Sequence, residues 1–91
     1  MDVKLSPKVL KQLKKCPQHI GMKLQLWANL VRTSGLRHAQ TMKGFHDEPL
    51  RGSKKGRRSI RLSKQWRAEY IITEEGKIEF ILVLEVHPHD Y

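Results

Sequence analysis

Arg57-Arg58-Ser59-Ile60-Arg61-Leu62-Ser63 and, just after it, Trp66-Arg67-Ala68-Glu69-Tyr70-Ile71-Ile72 decide how this chain folds. Apolar and polar side chains alternate through the first stretch and most of the second. A period of two sends successive side chains to opposite faces of a strand. Ile60 and Leu62 then share one face, and Arg61 points away from it. In the second strand Trp66, Ala68, Tyr70 and Ile72 face one way, while Arg67 and Glu69 face the other. The pattern predicts a sheet with one apolar face and one charged face.

Working outward, Glu74-Glu75-Gly76 signals a hairpin turn. Beyond it, Ile78 to Val86 is nearly all apolar, which predicts a central strand buried on both faces. At the other end, Val3 and Leu5 suit a short first strand within residues 1–5. Ser6 then caps a helix whose first position suits Pro7. Val9, Leu10 and Leu13 share a face of that helix, and Cys16-Pro17 ends it, because a residue before proline avoids helical angles. A second helix runs from about Gln18 to Thr33, with Ile20, Leu24, Trp27 and Val31 as its apolar stripe, Leu30 beside it, and Gly35 as its stop. Residues 33–56 show little periodicity. Leu36, Met42, Phe45 and Leu50 pin parts of this segment down, and a short strand is expected within it. The sum is an α+β fold: an N-terminal helical hairpin packed on a mainly antiparallel, twisted sheet, in one domain over residues 1–91.

The chain carries 18 Lys and Arg against 9 Asp and Glu, a formal charge of +9, and the excess is concentrated. Arg51, Lys54, Lys55, Arg57, Arg58, Arg61, Lys64 and Arg67 fall in one segment with no acid among them. Such a segment destabilises itself unless a polyanion supplies the counter-charge. Arg51, Lys54, Lys55, Arg57 and Arg58 therefore read as a polyanion-binding patch, with RNA, an anionic membrane or an acidic protein as the partner classes. The single cysteine, Cys16, excludes an intramolecular disulfide and fits a reducing compartment. No apolar run reaches membrane-spanning length and the N-terminus lacks a signal-peptide core, so the chain reads as a cytoplasmic protein.

The open face presents Arg61 and Arg67, and the last strand delivers His87, His89 and Tyr91 to its end. Cutting RNA without a metal needs a base for the ribose 2′-hydroxyl, an acid for the leaving 5′-oxygen, and cations for the phosphorane-like transition state. Arginine grips phosphate in two places and stays charged. Histidine and a perturbed tyrosine suit proton transfer. His87 and His89, at i and i+2 without cysteine or a third ligand, are too few for a metal site. His46, Asp47 and Glu48 read as a turn cluster, and His19 and His38 as surface residues. Exposed strand arginines are common, and Glu69 or Glu85 could pair with them. On these residues alone the chain is a basic RNA-binding α+β domain.

Pro49-Leu50-Arg51-Gly52-Ser53-Lys54-Lys55-Gly56-Arg57-Arg58-Ser59-Ile60-Arg61-Leu62, then Trp66-Arg67-Ala68-Glu69-Tyr70, resembles the central signature of RelE/HigB-type toxins of the RelE/ParE superfamily. Leu84-Glu85-Val86-His87-Pro88-His89-Asp90-Tyr91 resembles their last strand and catalytic tail, and Leu5-Ser6-Pro7-Lys8-Val9-Leu10 also fits. The resemblance implies the toxin of a type II toxin–antitoxin system. Such a protein cleaves mRNA in the ribosomal A site, leaves a 2′,3′-cyclic phosphate, uses no cofactor, and is neutralised by a cognate antitoxin. It implies that Arg67 contacts the scissile phosphate, that Arg61 acts similarly, and that Lys54, Lys55 and Arg57 grip RNA. Tyr91 and His89 match acid/base tail positions, with His87 a third candidate. A ParE-like gyrase-inhibiting toxin and a non-catalytic RNA-binding module are the alternatives.

Overall fold

The protein is described by a computed structural model covering residues 1–75 and 78–88. Strand β1 (Asp2–Leu5) leads into helices α1 (Pro7–Lys15), α2 (Gln18–Ser34) and α3 (Leu36–Thr41). Strands β2 (Glu48–Pro49), β3 (Arg58–Arg61), β4 (Trp66–Glu75) and β5 (Ile78–Pro88) follow. Single 3₁₀ turns at Lys43–Phe45 and Gly52–Lys54 precede β2 and β3. The sheet order is β1-β5-β4-β3-β2, with β1 parallel to β5 and the other pairs antiparallel. This is the expected α+β architecture.

Local chemistry explains the elements. The Ser6 hydroxyl accepts the Val9 N–H at 3.2 Å and so caps α1. Pro17 starts α2, and Gly35, at φ 87°, turns the chain from α2 into α3 at little steric cost. Ile20, Leu24, Trp27 and Val31 of α2 and Val9 of α1 pack on Ile60, Ala68, Tyr70, Val83 and Val86 of the sheet. Trp27 and Tyr70 anchor this layer, their ring centroids 5.0 Å apart. Each Val, Leu or Ile in this layer contributes about 1.5–3 kcal/mol when fully buried.

Four expectations change in detail. Leu10 is exposed, because α1 turns Val9 and Leu13 inward and leaves Leu10 about a hundred degrees round the helix. Ile72 is also exposed, so the core on β4 ends at Tyr70. Residues 33–56 hold the short strand expected of them but also α3, whose Leu36 and Ala39 are buried. The final strand is not enclosed on both faces at its C-terminal end: Val83 and Val86 are buried, whereas Glu85 and His87 are only half-buried. A bulge accounts for the spacing. Glu69 pairs with Glu85 and Tyr70 with Val83, so β5 carries one extra residue and resets its alternation. Gly76, within the expected turn, lies outside the described residues.

The core face also buries a polar network. Asp47, its side chain fully enclosed, accepts from Arg58 Nε at 2.6 Å and from the Tyr70 hydroxyl at 2.6 Å. Gln40 Nε2 donates to the same Tyr70 oxygen at 3.2 Å. Burial and the Asp47 carboxylate push the Tyr70 phenol well above its usual range, so it stays a donor. The network ties α3 and the loop before β2 to β3 and β4. Asp47→Ala would leave Arg58 and Tyr70 without their acceptor. It is expected to lower unfolding free energy by about 2–4 kcal/mol in urea denaturation, with Tyr70→Phe costing less.

Candidate functional site

The sheet turns its second face away from the helices. Strand pairing aligns Ser59 with Glu69, Arg61 with Arg67, Arg67 with His87, and Glu69 with Glu85. Residues opposite one another in antiparallel strands share a face. Arg61, Arg67 and His87 therefore stand in one row across β3, β4 and β5. A hollow of about 270 Å³ opens on this face, its wall including Glu48, Lys54, Ser59, Arg67, Glu69 and His87.

Arg67 lies in the wall with a side chain only 14% exposed. Its Nη1 donates to the Ser59 hydroxyl at 3.2 Å and lies 3.6 Å from Glu48 Oε1. Glu48 is itself about half exposed and lies 3.4 Å from His46 Nε2. A rigid guanidinium beside an accessible carboxylate is the hollow's distinguishing feature. Arg61 is exposed, with no acidic partner among the described residues.

Glu69 forms the second cluster. Its side chain is only 3% exposed although it stands on the open face of the sheet. Lys54 Nζ donates to Oε2 at 2.7 Å and Arg57 Nη1 to Oε1 at 3.2 Å. His87 Nε2 also meets Oε2, at 2.7 Å, and His87 Nδ1 lies 2.9 Å from the Pro88 carbonyl. Both ring nitrogens thus face acceptors. Burial pushes the Glu69 carboxyl upward, but the bonds from Lys54, His87 and Arg57 outweigh it and hold the group below its ordinary 4.5. Arg57 also lies 3.8 Å from Glu85, which pairs with Lys8 at 3.1 Å.

The sequence-derived residues therefore separate into groups. Arg67, His87 and Lys54 line the hollow, with Arg57 joined to it through Glu69. Arg61 extends the same face. Arg51 and Lys55 are exposed on the loop before β3. Arg58 corrects the expectation of an RNA-gripping role: alternation along β3 sends it to the core side, where it pairs with Asp47. His89 and Tyr91 lie outside the described residues. Sequence reasoning missed Glu48, which it left in a turn cluster with His46 and Asp47. The cluster divides, with Asp47 turned inward and Glu48 at the hollow. A strand of two residues offers no periodicity that could have shown this.

A basic sheet face backed by a helical hairpin gives this chain the fold of solved toxins from toxin–antitoxin complexes. Among solved structures it is similar to YafQ in the E. coli DinJ–YafQ toxin–antitoxin complex, with TM-score 0.72 and 22% identity over 97% of this chain and 91% of that one. It is also similar to the YoeB/ParE toxin from Agrobacterium tumefaciens, with TM-score 0.67 and 18% identity over 99% and 100% of the two chains. The YoeB–YefM complex from Staphylococcus aureus gives TM-score 0.67 and 15% identity over 100% and 98%. No protein-family model and no curated protein matches the sequence.

The depressed Glu69 carboxyl fixes the sign of an acid effect. A lowered folded pKa gives stability that is complete above the ordinary value of 4.5 and is lost as pH falls through the lower folded value. Denaturation midpoints measured from pH 6 to pH 2.5 should fall more steeply for the wild type than for Glu69→Gln.

Proposed function

We propose that this protein is the toxin of a type II toxin–antitoxin system and a metal-independent endoribonuclease that cleaves mRNA on the translating ribosome. One observation carries the reading: Arg67, nearly enclosed and braced by Ser59, sits 3.6 Å from the accessible Glu48 carboxylate in a hollow on the basic face. The fold shared with toxins supports it.

In this reading Glu48 removes the proton from the ribose 2′-hydroxyl. The 2′-oxygen forms a bond to phosphorus, and Arg67 neutralises the charge gathering on the phosphoryl oxygens. The bond from phosphorus to the 5′-oxygen breaks, leaving a 2′,3′-cyclic phosphate. The leaving oxygen takes its proton from the tail, where His89 and Tyr91 follow Pro88 in the chain. His87, with both ring nitrogens engaged, serves as a fixed wall of the hollow. Arg61, Lys54, Lys55, Arg57 and Arg51 hold flanking phosphates, an electrostatic contribution that weakens with salt. The Glu48–Arg67 pair suits acid/base chemistry, which a gyrase-binding toxin does not need.

The antitoxin partner is an acidic, amphipathic segment. DinJ and YefM accompany toxins of this fold in the solved complexes. Residues 7–34 of this chain contain no Asp or Glu and carry Lys8, Lys11, Lys14, Lys15 and Lys23. Leu13, Pro17, Gly21, Met22 and Leu26 line a shallow apolar groove there, with Met22 and Leu26 well exposed. Lys23 shares the adjoining surface with Met22 and Leu26, and apolar anchors beside a cation favour an acidic helix.

Arg67→Ala and Glu48→Gln should each slow cleavage on programmed ribosomes by at least about 10²-fold while leaving the fold intact by circular dichroism. Tyr91→Ala should suppress growth arrest, and wild-type products should end in 2′,3′-cyclic phosphate. Altered DNA supercoiling with intact transcripts would replace this reading with gyrase poisoning. Leu26→Glu should weaken antitoxin binding at least about tenfold by calorimetry, while cleavage stays at the wild-type rate.

A further inference from the structure

We infer that Glu69 is a positioning residue: an internal counter-anion that clamps the basic loop and His87 into the shape the hollow requires. The inference rests on the nuclease reading above for its consequence, but its geometry stands independently.

A carboxylate that is 3% exposed on the solvent side of a sheet is unusual unless it is fully paired. Glu69 meets that condition by gathering three donors from two parts of the chain. Lys54 and Arg57 come from the loop before β3, and His87 comes from β5. The loop has few other ties to the sheet. Its own backbone bonds are local: Lys55 N–H to Gly52 O, Arg57 N–H to Lys54 O, and Leu50 N–H to Arg57 O. Within it, Lys54, Lys55 and Gly56 are exposed and bury no apolar group. Glu85, 3.8 Å from Arg57, is a longer and weaker tie than Glu69 provides.

The clamp has two effects on a polyanion. It fixes Lys54 and Arg57 at the rim of the hollow, so their placement is settled before a phosphate arrives. It also neutralises part of their charge, so an incoming phosphate must share them with Glu69. Removing the carboxylate should therefore help binding and harm turnover. A residue that merely stabilises the fold would weaken both.

Glu69→Gln keeps the side-chain shape and removes the charge. It should lower kcat for RNA cleavage by at least about tenfold, while Kd for a short single-stranded RNA at fixed salt stays the same or tightens. Trypsin, which cuts after Lys and Arg, reads the clamp without any activity: cleavage after Lys54, Lys55, Arg57 or Arg58 should quicken by at least about tenfold in native protein. Lys54→Gln opens the clamp by altering a side chain 45% exposed. It is the second variant should Glu69→Gln fail to fold, and it too should quicken cutting after Arg57 and Arg58. Unchanged trypsin cutting in the folded variant overturns the inference. So does wild-type kcat, and so does a parallel loss of kcat and RNA affinity. If the wild type cuts no RNA, the nuclease reading fails by itself, and the trypsin rates decide the clamp.

Discussion

A buried carboxylate surrounded by cations holds the charged half of this molecule in place. The protein carries a large positive excess, and most of it falls on one loop and the two strands after it. Left alone, those groups would repel one another and splay the loop into solvent. Glu69 draws Lys54, Arg57 and His87 onto one point. Desolvation opposes this arrangement, but three donors outweigh it. The net field still favours a polyanion, because one carboxylate cannot neutralise the whole segment.

The opposite face of the same strands obeys other physics. There Asp47 forms a second enclosed carboxylate, bonded to Arg58 and Tyr70. The two networks stand back to back across β3 and β4, separated by the alternation of the backbone. Adjacent residues consequently have different roles: Arg57 reaches Glu69 on the basic face, and Arg58 reaches Asp47 on the core side. Glu69 and Tyr70 divide in the same way. A one-residue slip in register would exchange these partners and bury unpaired charge. The bulge opposite Glu69 and Tyr70 sets the point at which β5 matches both faces.

The hollow combines parts that are far apart in sequence. Glu48 comes from a two-residue edge strand, Arg67 from a central strand, and His87 from the last. Rigid strands fix the latter two, and Ser59 braces the guanidinium from β3. Arg67 has little freedom to lose when it meets an anion, which lowers the ordering cost of that contact.

Much of the architecture was legible in the sequence because it depends on local periodicity. The alternation from Ser59 to Tyr70 set the two faces of the sheet, and the spacing of Ile20, Leu24, Trp27 and Val31 set the buried side of α2. Ser6, Pro17 and Gly35 marked the helix ends through their own backbone chemistry. Charge density alone pointed to a polyanion. Pairing across the fold was not legible. Glu48 had no period to announce it, Arg58 looked the same as its basic neighbours, and Glu69, read as an option for pairing the strand arginines, meets Lys54, Arg57 and His87 instead. Which charges meet depends on strand register and on which groups are desolvated together, and only the tertiary structure determines both.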